Sequence, residues 1–253
     1  MKIAAQAIVI HMHSLYCAIL RIFRLAHAMT TVTEALRGRI STREFLPTPL
    51  PETLLREILE VARWSPSGGN VQPWKVIVVS GAERAAVTAI GRTISPDGAN
   101  SEEGDHPIYP AKLWEPYRTR RFRLGELMYA QLGIGRDDRA GRLARLARNF
   151  EFFGAPVGMF FVIDRGLGRP QWAHLGMFML AVALAAHERG VASCFQEFWS
   201  LARTRLHRHF ALPESDLVYC GMALGYADPQ AAVNHLRSER APVEAFASFR
   251  GFC

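Results

Sequence analysis

Cysteine is scarce in this chain of 253 residues: Cys17, Cys194, Cys220 and Cys253 stand far apart and form no C-x-x-C pair. That spacing excludes a disulfide framework and a thiolate metal site, and it suits a reducing compartment. Histidine supplies no metal site either, because His11/His13 and His207/His209 have no third ligand nearby in sequence. The glycine clusters are incomplete. Gly133-Ile-Gly135 and Gly166-Leu-Gly168 lack the third glycine of a dinucleotide fingerprint, and no P-loop is present. Internal repeats, low-complexity tracts and linker-like stretches are missing too, so the sequence reads as one domain.

What is present is ordinary for a folded chain. The hydrophobic fraction of 49% can fill one sizeable core, and the charged fraction of 21% does not suggest disorder. The formal net charge is +7, but the arginines are scattered along helical stretches with acids between them. The densest cluster, Arg118, Arg120, Arg121 and Arg123, carries no accompanying nucleic-acid-binding motif. A basic surface of this kind suits phosphorylated small molecules better than nucleic acid.

Ile3–Leu20 lacks charged side chains and is flanked by Lys2, Arg21 and Arg24, at the lower length limit for a membrane span. Gln6, His11, His13 and Ser14 dilute it, and two arginines precede any cleavage site. The expectation is therefore a start at Met29, a dispensable extension over residues 1–28 and a cytoplasmic protein.

Periodicity places the elements. Thr33 is the expected cap of a helix ending at Gly38, and Pro51 opens a second, running to Trp64 with Leu54, Leu55, Ile58, Leu59 and Ala62 at helical spacing. A strand is expected at Lys75–Ser80, then a helix near Ala82–Gly91. The Gly-, Pro-, Asp- and Ser-rich stretch from Thr93 to Pro110 reads as a mobile loop. Basic amphipathic helices follow near Leu113–Leu132 and Asp137–Asn149, then an apolar strand at Val157–Asp164. Gln171–His187 is apolar on every face, which points to a buried helix packed against a partner subunit. A helix at Leu201–Phe210 and a strand at Asp216–Ala223 complete the core.

Between the second helix and the first strand lies Ser65-Pro-Ser-Gly-Gly-Asn-Val-Gln-Pro-Trp74. Small residues and bare amides let a flat ligand lie close to the chain, while Asn70 and Gln72 offer donors and acceptors to a heterocycle edge. By composition alone an ordinary loop is the simpler reading. A second element, Arg39-Ile-Ser-Thr-Arg43-Glu-Phe45, changes that balance. The pair resembles the R-x-S-x-R-x-F and S-P-S-x-x-N-x-Q-P-W signatures of the nitroreductase family of flavin enzymes. Cys220-Gly-Met-Ala-Leu-Gly-Tyr-Ala-Asp-Pro229, Asn234 and Arg240-Ala-Pro242 add a third match, and Asn149–Pro156 resembles one subgroup. The resemblance spans about Thr33 to Phe252.

It implies an α+β sandwich, residues 29–253, with a small mixed or antiparallel sheet flanked by helices and an intertwined homodimer. It implies flavin mononucleotide (FMN) as cofactor and NADH or NADPH as co-substrate, with hydride passing through flavin N5 to nitroaromatic or quinone-like acceptors. Arg39 and Arg240 would grip the phosphate, Ser41 the phosphate or ribityl chain, and Arg43 the pyrimidine edge. Pro66, Ser67 and Asn70 would reach the flavin from the other subunit, and the tail from Pro242 to Phe252 would clasp it. Gln196-Glu197 match the segment whose backbone amides approach N5 and O4, although Phe195 stands where relatives usually carry proline. No side chain need act as nucleophile or general base. The segment Pro110–Arg123, with Trp114, Tyr117 and its arginines, is a candidate wall of the nicotinamide groove or equally a packed surface helix. Alternatives are a flavin-fragmenting or dehalogenating relative, or a flavin-binding sensor without turnover.

Overall fold

The structure, a computed structural model, describes residues 30–102 and 106–252. The expected extension over residues 1–28 and the start at Met29 lie outside them. The chain divides into two compact units, Met1–Arg37 and Gly38–Cys253. Helix α1 (Val32–Gly38) is capped by Thr31 rather than Thr33. Thr31 Oγ1 accepts from Glu34 N–H at 3.2 Å, and the Glu34 carboxylate accepts in return from Thr31 N–H at 2.8 Å. This reciprocal box needs a glutamate three residues on, which Thr31 has and Thr33 lacks.

The second unit contains α2 (Glu52–Ala62), β1 (Lys75–Ser80), α3 (Gly81–Gly91), α4 (Tyr117–Gln131), α5 (Arg139–Ala147), β2 (Val157–Asp164), α6 (Gly168–Glu188), β3 (Ala192–Gln196), α7 (Arg203–His209) and β4 (Asp216–Gly225). The strands form one antiparallel sheet in the order β1-β2-β4-β3. Strand β3 was not anticipated as a strand; its five residues are too few for periodicity to declare. Helix α4 begins later than expected because Pro116 sits at its N-cap. Before α7, residues 197–202 form a separate turn.

Strand β2 explains the layering. Val157, Met159, Phe161 and Ile163 enter one core with α2 and α6, while Phe160 and Val162 enter another on the opposite face. Burial on both faces is why the strand reads as an unbroken apolar run instead of alternating. On the first face Trp74 stacks on Phe178 with ring centroids 4.7 Å apart. The second face is aromatic: Phe150, Phe152, Phe160 and Trp199 meet with centroids 4.8–5.9 Å apart. Each such ring contributes about 1.5–3 kcal/mol on burial. Two glycines make room for them. A Cβ on Gly221 would lie 2.3 Å from Trp199, and one on Gly158 would lie 2.4 Å from Phe152.

The described parts of the Thr93–Pro110 stretch, residues 93–102 and 106–110, are irregular, as the composition predicts, and residues 93–102 are tied down. Glu102 N–H donates to Leu201 C=O at 3.0 Å, its carboxylate accepts from Arg205 N–H, and Asn100 bridges Thr93 and Ser95. Among the described residues no helix is long and apolar enough to cross a membrane.

Candidate functional site

The site begins where residues 39–45 run beside β3. Thr42 N–H donates to Ser193 C=O at 3.0 Å, and Ser41 forms a parallel bridge with Ser193, the one parallel pairing beside the antiparallel sheet among the described residues. Asn234, only 6% exposed, fixes the next stretch. Its Oδ1 accepts from Arg43 N–H at 2.9 Å, and its Nδ2 donates to the carbonyls of Glu44 and Asp228 at 2.8 and 2.9 Å. The Arg43 carbonyl accepts from Arg145 Nη2 at 2.9 Å. Both main-chain groups of Arg43 are thus held by buried side chains, and Arg43 lines an adjoining cavity, with its Nη1 donating to Ser41 C=O at 3.3 Å. Asn234→Ala orphans the Arg43 N–H, while the Glu44 carbonyl keeps its bond from Asp228 N–H at 3.1 Å, so it should cost about 1–3 kcal/mol in urea unfolding. Asn234→Asp keeps the acceptor but sets a carboxylate oxygen against the Glu44 and Asp228 carbonyls and should lose at least as much; unchanged stability in Asn234→Ala would mean that the bond to Arg43 contributes nothing.

The cavity measures about 810 Å³. One wall is Arg43 with Cys194, Phe195, Gln196 and Glu197 from the end of β3; Arg145, Asn149 and Phe153 close its base. The opposite wall is Asp97, Ile108, Tyr109, Arg121 and Met128. Gln196 is buried, and its side chain is committed inward: Nε2 donates to Asn149 C=O at 2.7 Å and Oε1 accepts from Trp199 Nε1 at 3.4 Å. Only its main chain is available to a ligand. Glu197 makes no ion pair among the described residues, and the protein packed around its carboxyl raises its pKa. The Cys194 thiol is also pushed up by burial, which outweighs the opposing pull of Arg43, Arg145 and Arg39. It is a neutral thiol, not a nucleophile.

The base of the cavity is strained. Phe152 and Phe153 take left-handed φ values of 52° and 53°, unusual for bulky side chains. Such residues cost on the order of 1–3 kcal/mol each and persist where packing dictates them. Both are fully enclosed in the aromatic core, and the Arg145 guanidinium sits 5.1 Å from the Phe153 ring centroid.

Arg39 lies beside the cavity, its guanidinium 6.0 Å from the ring centroid of Phe195. Burial lowers its pKa first, and the nearby charge of Arg240 lowers it further. Neither arginine meets a carboxylate among the described residues; Arg240 donates only to Ser238 and to the Glu239 carbonyl. A partly desolvated guanidinium, Arg39, and an exposed one, Arg240, close enough to interact and without an acid between them, form the donor set that a phosphate monoester needs. Ser41 adjoins through its hydrogen bond to Cys194. The expected residues Arg39, Ser41, Arg43, Gln196, Glu197 and Arg240 therefore share one neighbourhood.

Pro66, Ser67 and Asn70 do not line the cavity of this chain. Their loop is largely exposed and docks by Gly68 N–H donating to His174 Nε2 on α6 at 3.4 Å. Ser67 Oγ accepts from Gln72 N–H at 2.9 Å, and Gly69, Asn70 and Gln72 all take left-handed φ. Sequence reasoning missed Arg145, Asn149 and Tyr109 as wall residues, while Arg121 belongs to the Pro110–Arg123 segment whose arginines were expected along the nicotinamide groove. Asn149 stood in a quoted motif and Arg121 in a noted cluster, but nothing local says which faces inward.

Comparison with known proteins agrees with this geometry. The profile of the nitroreductase family matches residues 36–226. A 4-nitrobenzoate reductase of Pseudomonas putida is 39% identical over 221 residues, covering 85% of this chain and 93% of that protein. The crystal structure of an FMN and NADPH-dependent nitroreductase, NfnB, from Sphingopyxis sp. strain HMH has a TM-score of 0.84 and 39% identity, covering 88% of this chain and all of that one. An FMN-dependent nitroreductase from Mycobacterium smegmatis in complex with NADPH has a TM-score of 0.81 at 29% identity, covering 89% and 99%. This chain belongs to the nitroreductase family.

Proposed function

We propose that the protein is an FMN-dependent oxidoreductase that takes electrons from NADPH or NADH and reduces nitroaromatic or quinone-like acceptors in the cytoplasm. The observation that carries this reading is the acid-free Arg39–Arg240 pair, with Arg39 partly desolvated, next to the cavity that Arg43 lines. In this reading Arg39 and Arg240 hold the FMN phosphate, with Ser41 donating beside them. Arg43 faces the pyrimidine edge, where its fixed charge favours the reduced, anionic ring. The main chain at Gln196 and Glu197 lies along the reacting edge, since the Gln196 side chain is turned inward. When bound, FMN supplies the hydride chemistry itself, so the chain needs no nucleophile or general base.

The site is read as shared between two copies. Pro66, Ser67 and Asn70 sit on an exposed loop and would complete the flavin site of a partner. On α6, Ala173, Gly176, Met177 and Leu180 form an exposed, uncharged stripe at helical spacing, with Met177 48% exposed. Such a stripe suits a helix-to-helix interface between subunits.

The test is spectroscopic. Purified protein should be yellow, bleach with NADPH under anaerobic conditions, and recover its colour on addition of 4-nitrobenzoate or a benzoquinone. A yellow protein that NADPH and NADH both fail to bleach would mark a flavin-binding sensor. Flavin loss yielding an aromatic fragment would mark a flavin-fragmenting enzyme.

A further inference from the structure

The cavity carries a cation that the flavin reading does not use. Arg121 lines both the main cavity and a side chamber of about 450 Å³, and Arg43 and Met128 are the other residues common to the two. Several of its neighbours in charge are already engaged, and Arg43, the other cation common to both spaces, is the one assigned to the flavin. Arg118 pairs with Glu115 at 2.7 Å, Arg123 with Glu239 at 3.5 Å and Arg142 with Glu126 at 3.1 Å, while Arg145 is buried against Glu44 and Phe153. Arg121 has no carboxylate partner among the described residues. It lies instead on the ring of Tyr109, 4.1 Å from the centroid, and Tyr109 lines the same cavity. Stacking orients the guanidinium plane without neutralising it.

We propose that Arg121, oriented by Tyr109, is a specificity-determining residue that selects acceptors carrying a carboxylate on an aromatic ring. This rests on the flavin-dependent reading of the site. A single uncommitted guanidinium beside an aromatic face matches a flat monoanion, with the ring against Tyr109 and the carboxylate on the fork. A phosphate dianion calls for several cations on one group; the other cation lining the cavity without a carboxylate partner, Arg43, is assigned to the flavin, which leaves one guanidinium for the acceptor. The acidic side chains of the cavity do not forestall an anion. Asp97 keeps its charge, but it is exposed to water, which screens it, and it is held by Ser95 Oγ at 2.6 Å and Ala99 N–H at 3.1 Å; burial raises the pKa of Glu197.

The experiment compares 4-nitrobenzoate with its neutral counterpart 4-nitrobenzamide on the FMN-loaded protein and on Arg121→Gln and Arg121→Lys. With saturating NADPH, Arg121→Gln should raise KM for 4-nitrobenzoate about tenfold, the scale of one charge-assisted hydrogen bond, and leave kcat nearly unchanged. KM for 4-nitrobenzamide and for NADPH should stay put, and Arg121→Lys should recover part of the loss. Calorimetric titration of 4-nitrobenzoate without reductant reads the same selectivity with no turnover. A wild-type protein that binds 4-nitrobenzoate through Arg121 yet never reduces it would defeat the proposed function and leave this inference standing. Equal effects on the acid and the amide, no effect on either, or a selective rise in KM for NADPH would each overturn it.

Discussion

Replacing Arg240 with alanine should weaken FMN retention by about 1.5–3 kcal/mol, roughly a ten- to hundredfold rise in dissociation constant. Arg39→Ala should do at least as much. Arg39 is half-buried against Phe195 and desolvated, so its bond to a phosphate forms in a less screened setting than that of exposed Arg240. The apo protein should respond in the opposite direction. With no anion present the two guanidiniums repel each other, so Arg240→Ala should leave the apo melting temperature unchanged or slightly raised. Loss of FMN with no loss of apo stability is the pattern of a ligand site; loss of both together is that of a structural residue. Fluorescence titration of FMN and thermal melts of both forms provide the comparison. Unchanged FMN affinity in the Arg240 variant would remove that residue from the site.

The parts of this site that the sequence declares are those carried by contiguous motifs. Arg39, Ser41 and Arg43 recur at alternate positions of one extended segment, and β3 holds that segment in register through the Ser41–Ser193 bridge. The double burial of β2 was legible because period-2 alternation disappears when both faces are covered. What was not legible depends on distant pairing. Asn234 reads as one more polar loop residue until Glu44 and Asp228 close around it, 190 and 6 positions away. Arg145 lies in a basic helix whose arginines look alike; Phe153 and Glu44, which bury this one, belong to other segments. The Thr31 cap was a local error: the box with Glu34 was available in sequence, and the later threonine was preferred over it.

Removing Ala245 to Cys253 should lower both the dimer fraction and the bound FMN, in proportion. The tail has a single turn at Val243–Ala245 and no strand, and it leaves Phe246, Phe249 and Phe252 at 73%, 71% and 81% exposure in the single chain. Large aromatics this open are costly in water, and Phe249 and Phe252 cover each other only edge-on, with centroids 5.9 Å apart. β1 has no strand on its outer side among the described residues, so a sheet edge stands open to an added chain. If each phenylalanine is buried on a second copy, it contributes about 1.5–3 kcal/mol, and deleting the tail removes the contribution of all of them. Phe246→Ala alone should give a weaker form of the same defect, because it leaves the other two rings in place. Coupling between the two readouts is the discriminating feature. If Pro66, Ser67 and Asn70 of one copy complete the flavin site of the other, FMN must leave as dimers dissociate, and raising the protein concentration should restore both together. A truncated protein that is monomeric by light scattering, yet holds FMN tightly and reduces 4-nitrobenzoate, would show that each chain builds its site alone.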